Sequence, residues 1–183
     1  MSSEKGIGCN DFDFAVYIAN TPAMYEYQNL IQVHSLTSGE VSAIGQACGN
    51  GWRKVFNVYA KVLFALPKDH FNFSSFELTW QQYRDNYLLQ KGSGTALLFS
   101  PPRLDKNKHV LHIICGRTYA KDLIHTGQLD AKLIWIDDEF AIDNVNNIVV
   151  CPYFDYRQLS NAKIKRLAIM LTTLKASFIT AKP

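Results

Sequence analysis

Apolar side chains alternate with other residues at Phe12, Phe14, Val16 and Ile18, the period of a strand. Asn20-Thr21-Pro22 closes that run, because proline lacks an amide donor and restricts the residue before it. Residues 1–10 read as a loose N-terminal arm, and residues 23–38 fit best as a short helix through Tyr25–Val33. The period then becomes helical. Glu40 to Cys48 forms one segment, and Gly49-Asn50-Gly51 breaks it. Trp52, Val55, Phe56, Tyr59, Leu63 and Leu66 then mark a buried helix face until Pro67 stops it. Ser74-Ser75-Phe76-Glu77 has the spacing of a capping box. It predicts a further helix with Phe76, Trp80, Tyr83 and Tyr87 along one side, an aromatic stripe read as core rather than as a stacking platform.

From Gly92 onward the pattern changes again. Thr95–Ser100, His109–Cys115, Ala131–Ile136 and Ile148–Cys151 are short, nearly continuous apolar runs, as strands buried on both faces require. A crossover helix is expected between 116 and 127. The last helix starts near Ser160 and carries Ile164, Leu167, Ala168, Leu171 and Leu174 on one face. Alternating strands and helices predict an α/β fold, a three-layer αβα sandwich with a mostly parallel central sheet of four or five strands. The whole chain, 1–183, reads as a single α/β domain.

Composition narrows the class. In 183 residues, 48% are hydrophobic and 19% charged, too apolar for a disordered chain. No apolar run approaches the ~18 residues of a membrane helix. The N-terminus lacks the apolar core of a secretory signal. Cys9, Cys48, Cys115 and Cys151 form no C-x-x-C pair, which removes zinc ribbons and dithiol redox motifs and predicts reduced thiols in a cytoplasmic protein. Neither a metal nor a cofactor is expected. The net charge of +3 is uneven: the segment from Tyr156 to the end carries +6 and the remainder −3. Such a segment marks an anionic partner, or simply a solvated helix face.

Open parallel sheets hold ligands beyond the carboxyl ends of their strands. That rule selects Asn20-Thr21, the segment from Ser100 to Arg103, Gly116-Arg117-Thr118-Tyr119, Asp137-Asp138-Glu139, and the stretch from Pro152 to Asn161. Gly116-Arg117-Thr118 joins a strand to a helix start, where free amides and an arginine would hold an anion; the plainer alternative is a tight turn with a solvent-facing arginine. Asp155, Tyr156 and Arg157 lie in an aromatic, polar loop before the last helix, with Ser160 read as that helix's N-cap. The candidate ligand-binding residues are Ser100, Gly116, Arg117, Thr118, Tyr119, Asp155, Tyr156 and Arg157; the candidate catalytic carboxylates are Asp155 and Asp137. His109 and His112 fall on opposite phases of one strand and do not suggest a shared metal site. There is no phosphate-binding G-x-x-x-x-G-K-[ST] loop and no G-x-S-x-G elbow.

Three segments, in order, resemble the uracil-DNA glycosylase superfamily: Gly94-Thr-Ala-Leu-Leu-Phe-Ser100, Ile114-Cys-Gly-Arg-Thr-Tyr-Ala120, and Val150-Cys-Pro-Tyr followed by Leu159-Ser160. They cover about a third of the chain. The resemblance implies a three-layer α/β fold with a site at the strand ends. It does not imply base excision, because the family's water-activating Gly-Gln-Asp-Pro-Tyr is replaced by Tyr87-Leu-Leu-Gln-Lys-Gly92 and its loop histidine by Cys151. Three functions remain open: a binding module for a phosphate-bearing ligand or nucleic acid, which is the leading expectation; an enzyme of hydrolase or glycosylase-like type using the same cleft; and a protein–protein interaction domain.

Overall fold

A computed structural model describes residues 3–180. Its elements, in chain order, are β1 (Gly6–Gly8), β2 (Phe14–Tyr17), α1 (Tyr25–Gln28), β3 (Val33–His34), α2 (Glu40–Cys48), α3 (Asn50–Ala65), a 3-10 turn (Phe73–Ser75), α4 (Trp80–Asn86), β4 (Thr95–Leu98), β5 (Leu111–Cys115), α5 (Arg117–His125), β6 (Ile134–Trp135), β7 (Ala141–Asp143), β8 (Ile148–Cys151) and α6 (Asn161–Thr180). Two compact units emerge, each drawn from two chain segments: Met1–Thr37 with Leu89–Pro152, and Ser38–Leu88 with Tyr153–Pro183.

The first unit holds the whole sheet, ordered β3-β1-β4-β2-β5-β8-β7-β6. The expected α/β class holds, but the sheet is not a mostly parallel one of four or five strands. It has eight strands and is mixed. β4, β2, β5 and β8 run parallel, whereas β1 pairs antiparallel with β4 and β7 pairs antiparallel with both β8 and β6. The four central strands are buried at every position, so their sequences read as continuous apolar runs. The flanking strands are two or three residues long, too short to establish a period.

Those short strands account for three corrections. Gly6–Gly8 is a buried strand inside the supposed arm, whose Met1 and Ser2 lie outside the described residues. Glycine is needed there: Gly8 has φ +138, and a Cβ on it would come within 2.6 Å of the Ala96 Cα. The helix expected through Tyr25–Val33 is one turn ending at Gln28, after which β3 pairs with β1. The run 132–136 is an exposed antiparallel hairpin arm, with Ile134 and Ile136 more than half exposed.

One face of the sheet carries Ala15, Tyr17, Ala96, Leu98, Ile114 and Val150. Ala120 and Leu123 of α5 pack on it, as does Leu104 of the crossover 99–110, which links the parallel strands β4 and β5 without a helix.

The second unit is helical. α2 follows the expected Glu40–Cys48 span, and α3 buries Val55, Phe56, Tyr59 and Leu63 as the period required. α4 does not start at Ser74. Its N-cap is Thr79, whose hydroxyl accepts the Gln82 N–H at 3.2 Å. Phe76 therefore lies before the helix, at the end of the 3-10 turn, and not on a helical stripe. Tyr83 is buried, but Phe76 and Tyr87 are exposed and only partly shield each other at 5.2 Å between ring centroids. α6 begins after Ser160, whose carbonyl accepts the Ile164 N–H at 2.8 Å.

Candidate functional site

The residues expected at the carboxyl edge are mostly engaged in local structure. The Ser100 hydroxyl accepts the Lys5 N–H at 2.9 Å and ties the start of the chain to the end of β4. Gly116 has φ 98 and forms the N-cap of α5, where no side chain caps the helix. Its own N–H is taken by the Cys151 carbonyl. Arg117 contacts the carboxylate and carbonyl of Asp138 at 3.3 Å and lies over the Trp135 ring, which Lys121 also approaches. This pair is largely exposed, where screening leaves it little net energy. Thr118 is the exposed second residue of α5. Tyr119 packs against the sheet-face cluster, and burial raises its pKa.

The two candidate catalytic carboxylates are both occupied. Asp137 accepts the Glu139 and Phe140 N–H groups at 2.8 Å, the fold-back that turns β6 into β7. Asp155 accepts the Arg157 N–H and pairs with Lys54 of α3 at 3.0 Å; these contacts hold its carboxyl below the usual range, the wrong direction for a base near neutrality. Lys54 and Arg157 also approach the ring of Tyr156. Asp155, Tyr156 and Arg157 thus form one knot on the second unit. Asp143 is structural as well: burial acts to raise its pKa, but hydrogen bonds from Asn146, Lys132 and Val145 outweigh it and lower the value.

A better-formed cavity lies in the first unit. It encloses about 690 Å³, within the range of small-molecule sites. The crossover 99–110 supplies Arg103, Lys106, Lys108 and His109; the approach to β2 supplies Asp11, Phe12 and Asp13; and Glu4 comes from just before β1. Asp105, also in the lining, turns back to accept its own loop's Asn107 N–H. Glu4 is there because β1 pairs with β4, so residues before β1 meet the segment that leaves β4. Burial raises its pKa, opposed by the charges of Arg103 and Lys108.

His112 of β5 lines this cavity from the sheet face. Tyr17 stands opposite Ile114 in the β2–β5 register, so His112 is its diagonal neighbour on the same face. The Tyr17 hydroxyl and His112 Nδ1 are 2.8 Å apart, and both residues are at most 5% exposed. Burial lowers the His112 pKa to about 4, so the ring is neutral at physiological pH. Burial raises Tyr17 well above 10, and the Glu4 charge adds to the shift.

Sequence reasoning did not find this site. The crossover Arg103-Leu-Asp-Lys-Asn-Lys-His109 carries several charges, but nothing local shows that it folds over a histidine. His109 and His112, which fall on opposite strand phases, both line this cavity.

No curated protein and no solved structure matches the chain. The likeness to uracil-DNA glycosylases therefore gains no support beyond the three segments that suggested it. The family model described as a family of unknown function, DUF6942, matches residues 5–172, and the chain belongs to that family.

Proposed function

We propose that this chain is a binding module for a small phosphate-bearing ligand, a phosphorylated sugar or a nucleotide, taken into the cavity of the first unit. The observation that carries the reading is the crossover itself: Arg103, Lys106 and Lys108 line one cavity from a single loop, above a polar floor at His112. Arginine and lysine donors suit phosphate oxygens. The opposite sign on the rim, Asp11 and Asp13, suits hydroxyl groups of the same ligand, since carboxylates accept from them.

The test is calorimetry and thermal shift with sugar phosphates, nucleoside monophosphates, inorganic phosphate and short oligonucleotides. A phosphate ester at 100 times its Kd stabilises the fold by about 2.7 kcal/mol. Replacing Arg103 and Lys108 together by alanine weakens binding by roughly tenfold or more, the worth of a charge-assisted contact. If no phosphate compound shifts the melting temperature at low salt, the proposal fails. Binding of oligonucleotides alone, with a steep salt dependence, replaces the small ligand by a nucleic acid.

A second reading keeps the anion at the carboxyl edge, favoured by the uncapped first turn of α5 beside Arg117 and Lys121. Arg117→Ala then weakens binding where Arg103→Ala does not.

A further inference from the structure

The floor of the cavity defines what else the ligand must carry, an inference that rests on the binding reading above. Tyr17 is fully buried, and its hydroxyl has His112 as its hydrogen-bond partner among the described residues. If Nδ1 carried the proton, the buried tyrosine hydrogen would have no acceptor, which is costly. Tyr17 therefore donates to Nδ1, and the proton of the neutral ring sits on Nε2. No buried side-chain nitrogen or oxygen among the described residues is both sealed from solvent and unpartnered. His112 has no second side-chain partner there, so Nε2–H opens into the cavity that its residue lines.

We propose that His112 is the specificity-determining residue of this cavity: its Nε2–H hydrogen-bonds an oxygen of the ligand's organic part while the crossover cations hold the phosphate. The ligand class is a phosphate ester bearing a carbonyl or hydroxyl oxygen, in preference to free phosphate. Tyr17 is a positioning residue that holds the tautomer. A neutral ring adds no positive charge to draw the phosphate, which goes to the crossover cations, and its single donor is left for an uncharged oxygen of the same ligand.

The experiment compares ribose 5-phosphate with inorganic phosphate by calorimetry on the full chain. His112→Phe weakens ribose 5-phosphate roughly five- to tenfold, the worth of an uncharged hydrogen bond, and leaves inorganic phosphate unchanged. His112→Gln, which keeps a donor, restores part of the loss and covers the case in which the phenylalanine variant does not fold. Histidine ¹⁵N NMR of the unliganded protein shows Nε2–H for His112, and Tyr17→Phe abolishes that single tautomer. A protonated Nδ1 in the wild type, or equal effects of His112→Phe on both probes, overturns the inference. If Arg103→Ala also leaves ribose 5-phosphate binding intact, the failure belongs to the underlying binding reading instead.

Discussion

His112 shows how one buried side chain couples folding to pH. Its pKa of about 4 in the folded chain lies below the ordinary 6.5, because burial penalises the cation. The unfolded chain therefore takes up the proton first as the solution is acidified. The stabilisation is fully present above pH 6.5 and is lost as pH falls from 6.5 through about 4, a change on the order of 3 kcal/mol. Urea denaturation across that range is expected to show the loss, and His112→Phe to flatten it. The lowered pKa of Asp143 acts in a separate, lower window, because its stabilisation is lost as pH falls below the ordinary 3.8. Asp155 is the contrasting case among candidate catalytic groups. Its place in an aromatic, polar loop suggested a base, yet Lys54 lies 101 positions earlier in the chain and no local pattern connects the two. Titratable residues are legible as types in a sequence; their partners are not.

Elements were legible in proportion to their length. α3, with sixteen residues, repeats its apolar period four times, and α5 and the central strands fell where expected. β1, β3, β6 and β7 are defined by pairing alone, since two or three residues establish no period. α4 is the informative error. Ser74-Ser-Phe-Glu77 and Thr79-Trp-Gln-Gln82 both have capping-box spacing, and the second opens the helix. The choice between them sets which aromatic residues are covered. Thr79→Ala is expected to cost about 1 kcal/mol of stability, whereas Ser74→Ala should have little effect, measured as shifts in the chemical denaturation midpoint.

At the scale of the molecule, four cysteines sit in a fold with no covalent cross-link. Cys9, Cys115 and Cys151 are buried and Cys48 is partly so, all as free thiols, even though Cys115 and Cys151 are register partners on β5 and β8. The melting temperature is therefore expected to be the same with and without reductant; a drop on reduction would reveal a disulfide in solution. Among the described residues no helix is long and apolar enough to cross a membrane. The charge asymmetry acquires a location too: the positive C-terminal stretch, as far as it is described, is α6 and the loop before it, in the helical unit. The cavity is elsewhere, in the unit that holds the sheet.

The sequence by itself determined the α/β class, the central strands and the long helices, because hydrophobic burial imposes a period that a chain must carry locally. Only the tertiary structure decided the mixed eight-strand order, since pairing at the edges is made by backbone groups that every residue shares. It alone brought Glu4, Arg103 and His112 around one cavity and set the buried Tyr17 against His112. Those residues lie as far as 108 positions apart, and the diagonal contact of Tyr17 with His112 exists only once β2 and β5 are in register.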